Sequence, residues 1–274
     1  PVLPKGNNLS LHLLELFTSQ VAKVGMTDGI RQVLQEESDA LRAYYEQAGI
    51  LIARPAGGTS CRLAISAKGG TNAENHNHND VGSYAVALGS ETMVGDQGGP
   101  NSYPGDYFNG DAPQKYKIKG SFGHPVPVVD GRTQSSGGKA KGVVLQKEFT
   151  NEKDVFSIDY TSAYSTPNLD KLIRTFVYDR QGKGNFTVGD EFTAKTPIRF
   201  ETAITTRADW KVLDDTHLLL ATDSEQMIVA IDASGKVAFT SETIEVNSPA
   251  YTRIGIALKN QSKEGYIRLK MYTK

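Results

Sequence analysis

The chain has 274 residues, 38% hydrophobic and 22% charged, a composition that suits a globular protein able to bury a substantial core. Thirty Lys and Arg against 31 Asp and Glu leave a formal net charge of -1. That excludes the broad basic footprint of a nucleic-acid binder and confines recognition of any acidic polymer to a local basic cleft. A single cysteine, Cys61, excludes an internal disulfide, and no apolar run is long enough to span a bilayer.

In chain order, the first elements read as helical. Leu9, Leu13, Leu16 and Phe17 fall on one face at helical spacing, with Asn8 or Ser10 as a cap, and His12 sits among these leucines as a packing residue. After a break at Gly25–Gly29, the residues Ile30, Val33, Leu34, Leu41, Tyr44 and Tyr45 form a second apolar stripe that Gly49 closes. From about residue 50 the period changes to two. Strands are expected at 50–54, 62–66, 83–88, 91–94, 143–149, 155–160, 172–179, 200–205, 218–221, 227–232, 251–257 and 266–272. Turn signals such as Asp130-Gly131, Gln181-Gly182-Lys183-Gly184 and Ala233-Ser234-Gly235 separate them. A dozen strands without intervening helices predict a mainly β protein built as a large antiparallel β-sandwich. The stretch 95–142, rich in Gly, Pro, Asn, Asp and Tyr, is too long for a plain connection and reads as functional.

His76 and His78 stand two apart in Glu74-Asn75-His76-Asn77-His78-Asn79-Asp80, so an extended backbone projects both imidazoles from one face. Two nitrogen donors on one face begin a zinc site, although four-coordinate zinc needs further ligands. The same segment also reads as two loop histidines in a turn, because Asn75, Asn77, Asn79 and Asp80 satisfy nearby backbone groups. A hairpin through Gly89-Ser90 would return Asp96 beside the pair, and His124 closes the Gly- and Tyr-rich stretch. Two nitrogens and an oxygen suit zinc if His124 folds back. Arg132, Lys139 and Lys141, with Gln134 in the same loop, are candidate contacts for an acidic sugar chain, and His217 precedes a strand with no evident partner.

The run Asn75-His76-Asn77-His78-Asn79-Asp80-Val81-Gly82-Ser83-Tyr84 resembles the His-Asn-His-Asn-Asp-x-Gly-Ser-Phe signature of the heparinase II/III-like polysaccharide lyases. Gly95-Asp96-Gln97-Gly98, Tyr103, Tyr107-Phe108, Gly123-His124-Pro125-Val126-Pro127-Val128-Val129-Asp130-Gly131 and Leu172-Ile173-Arg174-Thr175-Phe176-Val177-Tyr178 follow in that family's order. The resemblance covers roughly residues 50–205 and leans slightly toward the alginate-lyase branch, through the Gly-His-Pro-Val-Pro-Val-Val run. It implies an N-terminal helical toroid followed by an antiparallel β-supersandwich. Residues 1–48 would then be the last toroid helices or a remnant of them, and 49–274 the sandwich. It further implies a zinc ion, structural in the sense of holding the loops in register, on His78, Asp96 and His124, with His76 facing the substrate cleft. Tyr103 and Tyr107 become candidate cleft contacts, one of them a candidate acid, alongside a tyrosine and an Asn or His from the toroid, which this chain lacks.

The expected activity is β-elimination on a uronate polysaccharide such as alginate or a glycosaminoglycan-like polymer. Its partners would be the acidic polysaccharide and the missing N-terminal helical domain of the same protein, in a periplasmic or secreted setting whose signal peptide is absent from these residues. The alternative is a non-catalytic carbohydrate-binding or structural sandwich module that keeps the zinc site. A zinc-water hydrolase ranks last, since no general base stands beside the expected ligands.

Overall fold

The computed structural model describes residues 40–96, 98–245 and 250–274. The helix expected around residues 9–17, with His12, and residues 30–39 of the second helical stripe lie outside the described residues. Where the second stripe enters them, its end is a strand. β1 (Arg42–Tyr45) pairs antiparallel with β2 (Ile50–Ala53), Arg42 opposite Ala53 and Tyr45 opposite Ile50. Gly49, expected to stop a helix, instead closes this hairpin at φ +62°, its N–H donating to the Glu46 carbonyl at 3.3 Å. Cross-strand pairing overrides the helical spacing here, helped by Arg42, whose Nε donates to Asp154 at 2.8 Å. The boundary expected at residue 48 therefore falls inside a hairpin.

The remaining strands are β3 (Leu63–Lys68), β4 (Thr71–Asn72), β5 (Tyr84–Leu88), β6 (Glu91–Val94), β7 (Val128–Val129), β8 (Gly137–Lys141), β9 (Val143–Phe149), β10 (Lys153–Asp159), β11 (Leu169–Asp179), β12 (Asn185–Ile198), β13 (Phe200–Thr206), β14 (Asp209–Asp214), β15 (His217–Ala221), β16 (Gln226–Ala233), β17 (Val237–Ile244), β18 (Tyr251–Leu258) and β19 (Ser262–Thr273). One sheet has eight strands in the order β14-β15-β16-β19-β12-β11-β10-β9. Two smaller sheets, β1-β2-β3-β5-β6 and β17-β18-β13-β7, adjoin where β6 runs into β13. There Gly95 N–H donates to the Thr205 carbonyl at 2.9 Å and Thr206 Oγ1 to the Met93 carbonyl at 2.7 Å. A two-stranded ribbon, β4-β8, lies beside the site. All the strand pairings are antiparallel. The chain is thus a mainly β sandwich, as the alternation predicted. Among the described residues no helix is long and apolar enough to cross a membrane.

Alternation explains the core. Leu172, Phe176 and Tyr178 of β11, Phe186 and Val188 of β12, and Ile267, Leu269 and Met271 of β19 face inward, against Leu63 and Ile65 of β3 and Tyr84 and Val86 of β5. Within this apolar layer Arg174 is completely buried, at 0% exposure, directly opposite Asp190. Its Nε and Nη2 donate to the two Asp190 oxygens at 2.7 and 2.6 Å, and Nη1 donates to the carbonyls of Gly82 and Pro125, each at 2.7 Å. Tyr160 and Thr202 hydroxyls donate to the same carboxylate at 2.5 and 2.8 Å. Gly82 has to be glycine: it sits at φ +88°, and a Cβ would lie 3.3 Å from the Tyr160 ring.

Arg174→Met should cost about 3–5 kcal/mol in unfolding free energy by leaving the Asp190 charge buried without its partner. Adding Asp190→Asn should recover part of that loss. Urea unfolding of the three proteins checks both, and a loss within 1 kcal/mol for Arg174→Met would refute the account.

Candidate functional site

The signature segment forms the loop between β4 and β5. Asn72 anchors its start: Nδ2 donates to Gln134 Oε1 at 3.0 Å and to the Ser135 carbonyl at 2.8 Å, while its Oδ1 accepts from Asp80 N–H at 3.1 Å. Gln134 clamps the loop's end through a two-way pair with Val81, accepting from its N–H at 3.1 Å and donating to its carbonyl at 2.7 Å. Gln134, expected as a sugar contact, is buried and is therefore a structural clamp, while Arg132, Lys139 and Lys141 remain exposed. His217 also has a partner, Asp214, whose Oδ1 lies 3.0 Å from its Nδ1 in the β14–β15 turn.

The β5–β6 hairpin returns Asp96 to the loop, where Ser83 Oγ donates to its Oδ2 at 2.6 Å. His124 arrives from the other side after a 3-10 turn at Ser121–Gly123. Gly123 permits that turn, since a Cβ there would stand 2.2 Å from the Lys117 carbonyl oxygen. The structure thus brings His78, Asp96 and His124 together in a line. His124 Nδ1 lies 3.0 Å from Asp96 Oδ1, its Nε2 lies 3.2 Å from His78 Nδ1, and His78 Nε2 lies 3.1 Å from the Tyr107 hydroxyl. Each ring has one donor and one acceptor when neutral, so the chain Tyr107–His78–His124–Asp96 satisfies every nitrogen in it.

The electrostatics grade along this line. Burial, then the neighbouring His124, holds His78 down to about 3, so it is neutral. Burial also acts against a charged His124, but Asp96 beside it wins and raises its pKa. Asp96 stays well below the usual carboxylate range: burial would raise it, and the charge and hydrogen bond of His124 outweigh that. Burial raises Asp80, whose Oδ1 accepts from Lys68 Nζ at 2.5 Å.

Asp80, Asp96 and His124 form a group that could hold a metal ion, with one ligand atom from each lying within 4.8 Å of the others. Two carboxylates and an imidazole fit zinc, as do the two imidazoles and one carboxylate of the expected set His78, Asp96 and His124. The two sets share Asp96 and His124 and differ in Asp80 or His78; His124 turns its Nδ1 to Asp96 and its Nε2 to His78. Asp80 is a ligand candidate that the motif alone did not single out; its burial next to Asp96 is the signal.

His76 stands apart from this line. It is exposed, at φ +58°, and its ring meets Phe108 edge-on with centroids 4.9 Å apart. Tyr103 and Phe108 are 53% and 51% exposed, with ring centroids 5.1 Å from each other. Tyr107 is only 1% exposed and bonded to His78, which makes it a positioning residue more than a cleft contact.

Neither the protein families nor the curated proteins compared with this sequence match it. Solved structures do. A heparinase III superposes with TM-score 0.66 at 18% identity, covering 85% of this chain and 36% of its own. The heparan sulfate lyase HepC from Pedobacter heparinus gives 0.70 at 15% identity, covering 96% and 42%. The chain has the heparinase III β-sandwich fold. A second heparinase III gives 0.69 at 12% identity over 96% of this chain and 42% of its own, so the heparinase-like chain spans less than half the length of these neighbours.

Metal analysis of purified variants tests the ligand set. Asp96→Ala and His124→Ala should each lose at least about 90% of bound zinc, since both sets contain Asp96 and His124. Asp80→Ala and His78→Ala then separate the sets: the one that retains zinc is not a ligand.

Proposed function

We propose that this chain is the sandwich part of a polysaccharide lyase that cleaves a uronate-containing polymer by β-elimination. The observation that carries the reading is the exposed His76 beside the aromatic pair Tyr103 and Phe108, next to the line formed by half-buried His78, buried His124 and half-buried Asp96. The fold likeness to heparinase III supports the reaction class. Exposed aromatic faces offer a stacking surface for sugar rings, and the imidazole can accept or share a proton at their edge.

In such a reaction a base removes the proton α to the uronate carboxylate. The C–H electron pair becomes a carbon–carbon double bond, the bond to the glycosidic oxygen breaks, and an acid protonates the departing oxygen. His76 is assigned to proton transfer or to neutralising the carboxylate, and Tyr103 is the exposed phenol in reach of the same surface. Tyr107 orients His78 from behind. A zinc ion held by Asp96 and His124, with Asp80 or His78, would add positive charge that keeps the loop before β5 and the stretch 95–127 in register.

A carbohydrate-binding module would use the same aromatic surface without turnover. Full-length protein incubated with alginate and with heparan sulfate should generate the ultraviolet absorbance of an unsaturated uronate from one of them. His76→Ala should lower kcat roughly a hundredfold or more. Binding without any such product would favour the module instead.

A further inference from the structure

Several cations around the site are matched to carboxylates. Lys68 pairs with Asp80, Arg174 with Asp190, Lys115 with Asp106 and Lys117 with Glu242. Lys119 is 7% exposed, yet among the described residues it forms no ion pair. Its ammonium donates only to the Tyr107 carbonyl and lies 4.9 Å from the Tyr107 ring centroid and 5.0 Å from that of Phe108. Its own carbonyl accepts from Asn79 N–H at 3.0 Å, so the residue is fixed to the His76 loop.

A buried ammonium with one neutral hydrogen bond is poorly compensated, because ring faces and a carbonyl replace only part of its hydration. Burial correspondingly lowers its proton affinity. An anion arriving on the exposed side of Phe108 would offset that cost. The Phe108 ring is also the one that His76 touches, so a sugar seated there would bring its acidic group to Lys119 and a ring carbon toward His76. In a protein of net charge -1, this supplies the local positive potential that composition withholds.

We propose that Lys119 is the receptor for the anionic group, carboxylate or sulfate ester, of the sugar that lies on Phe108 and Tyr103. The assignment rests on the lyase reading for its ligand class but makes no use of turnover. A merely structural lysine, holding 107 to 119 through the Tyr107 carbonyl, would contribute to all ligands alike.

The test is calorimetric titration of the full-length protein in the His76→Ala background, which keeps oligosaccharides intact. The probes are an unsulfated uronate tetrasaccharide, its carboxyl-reduced counterpart, and a sulfated carboxyl-reduced one. Lys119→Gln, which keeps a donor for the Tyr107 carbonyl, should weaken the uronate about tenfold and leave the carboxyl-reduced sugar unchanged, with Lys119→Arg restoring most of the preference. Loss confined to the sulfated probe would support the same receptor and assign it to sulfate. Equal weakening of charged and uncharged probes, or no change in either, would overturn the proposal, as would a parent protein with no preference for the charged probes. Failure of the lyase reading shows separately, as absence of unsaturated product from the unsubstituted protein.

Discussion

The structure depends most on one buried charge pair, Arg174 with Asp190. An arginine with no exposure inside an apolar layer is tolerable only when all its donors are used, and here the guanidinium spends them on four distinct parts of the chain, at Asp190, Gly82, Pro125 and Thr202. Two donors hold the β12 carboxylate, and one amino group spans the Gly82 and Pro125 carbonyls. Gly82 follows the histidine loop directly, and Pro125 follows His124. The ion pair therefore ties the end of the β4–β5 loop and the approach of His124 to the centre of the eight-stranded sheet. Loop residues that belong to no regular element acquire the rigidity of the core in this way.

A second constraint acts nearer the surface. Gln134 and Asn72 close the loop by hydrogen bonds between buried amides, and Ser83 and His124 hold Asp96 from two sides. The result is a graded site. A partly buried line of imidazoles and carboxylate lies behind, suited to a cation. An exposed imidazole with two aromatic rings stands in front, suited to a sugar. The two are joined by Tyr107, which gives its hydroxyl to His78 and its backbone carbonyl to Lys119. The front therefore inherits its geometry from the back.

The sequence was legible where burial follows periodicity. β3, β11 and the second half of β19 alternate buried with more exposed residues, because one face of each meets the core, and these strands, with β5, β10 and β18, were expected within a few residues. β12 escaped notice despite being the longest strand, since Gly189 and Asp190 interrupt its apolar row. Both interruptions are solved by neighbours distant in sequence. Arg174 neutralises Asp190, and Arg268 covers Gly189, whose absent Cβ would stand 3.2 Å from its Cγ. β1 was read as helix because its tyrosines also fit helical spacing, and only pairing with β2 decides between the two periods.

The site divides in the same manner. Sequence by itself determined the residue types and their order: the paired histidines, the hairpin that returns Asp96, the later histidine, and the sandwich that carries them. Local pattern suffices for these, since alternation and turn residues act over a few positions. Tertiary structure alone decided which nitrogen of His124 faces which partner, that Asp80 joins the carboxylates, that Tyr107 lies buried while Tyr103 is exposed, and that Lys119 forms no ion pair among the described residues. Each of these turns on the distance between groups far apart in the chain and on how much water is excluded from them, neither of which is encoded at a single position.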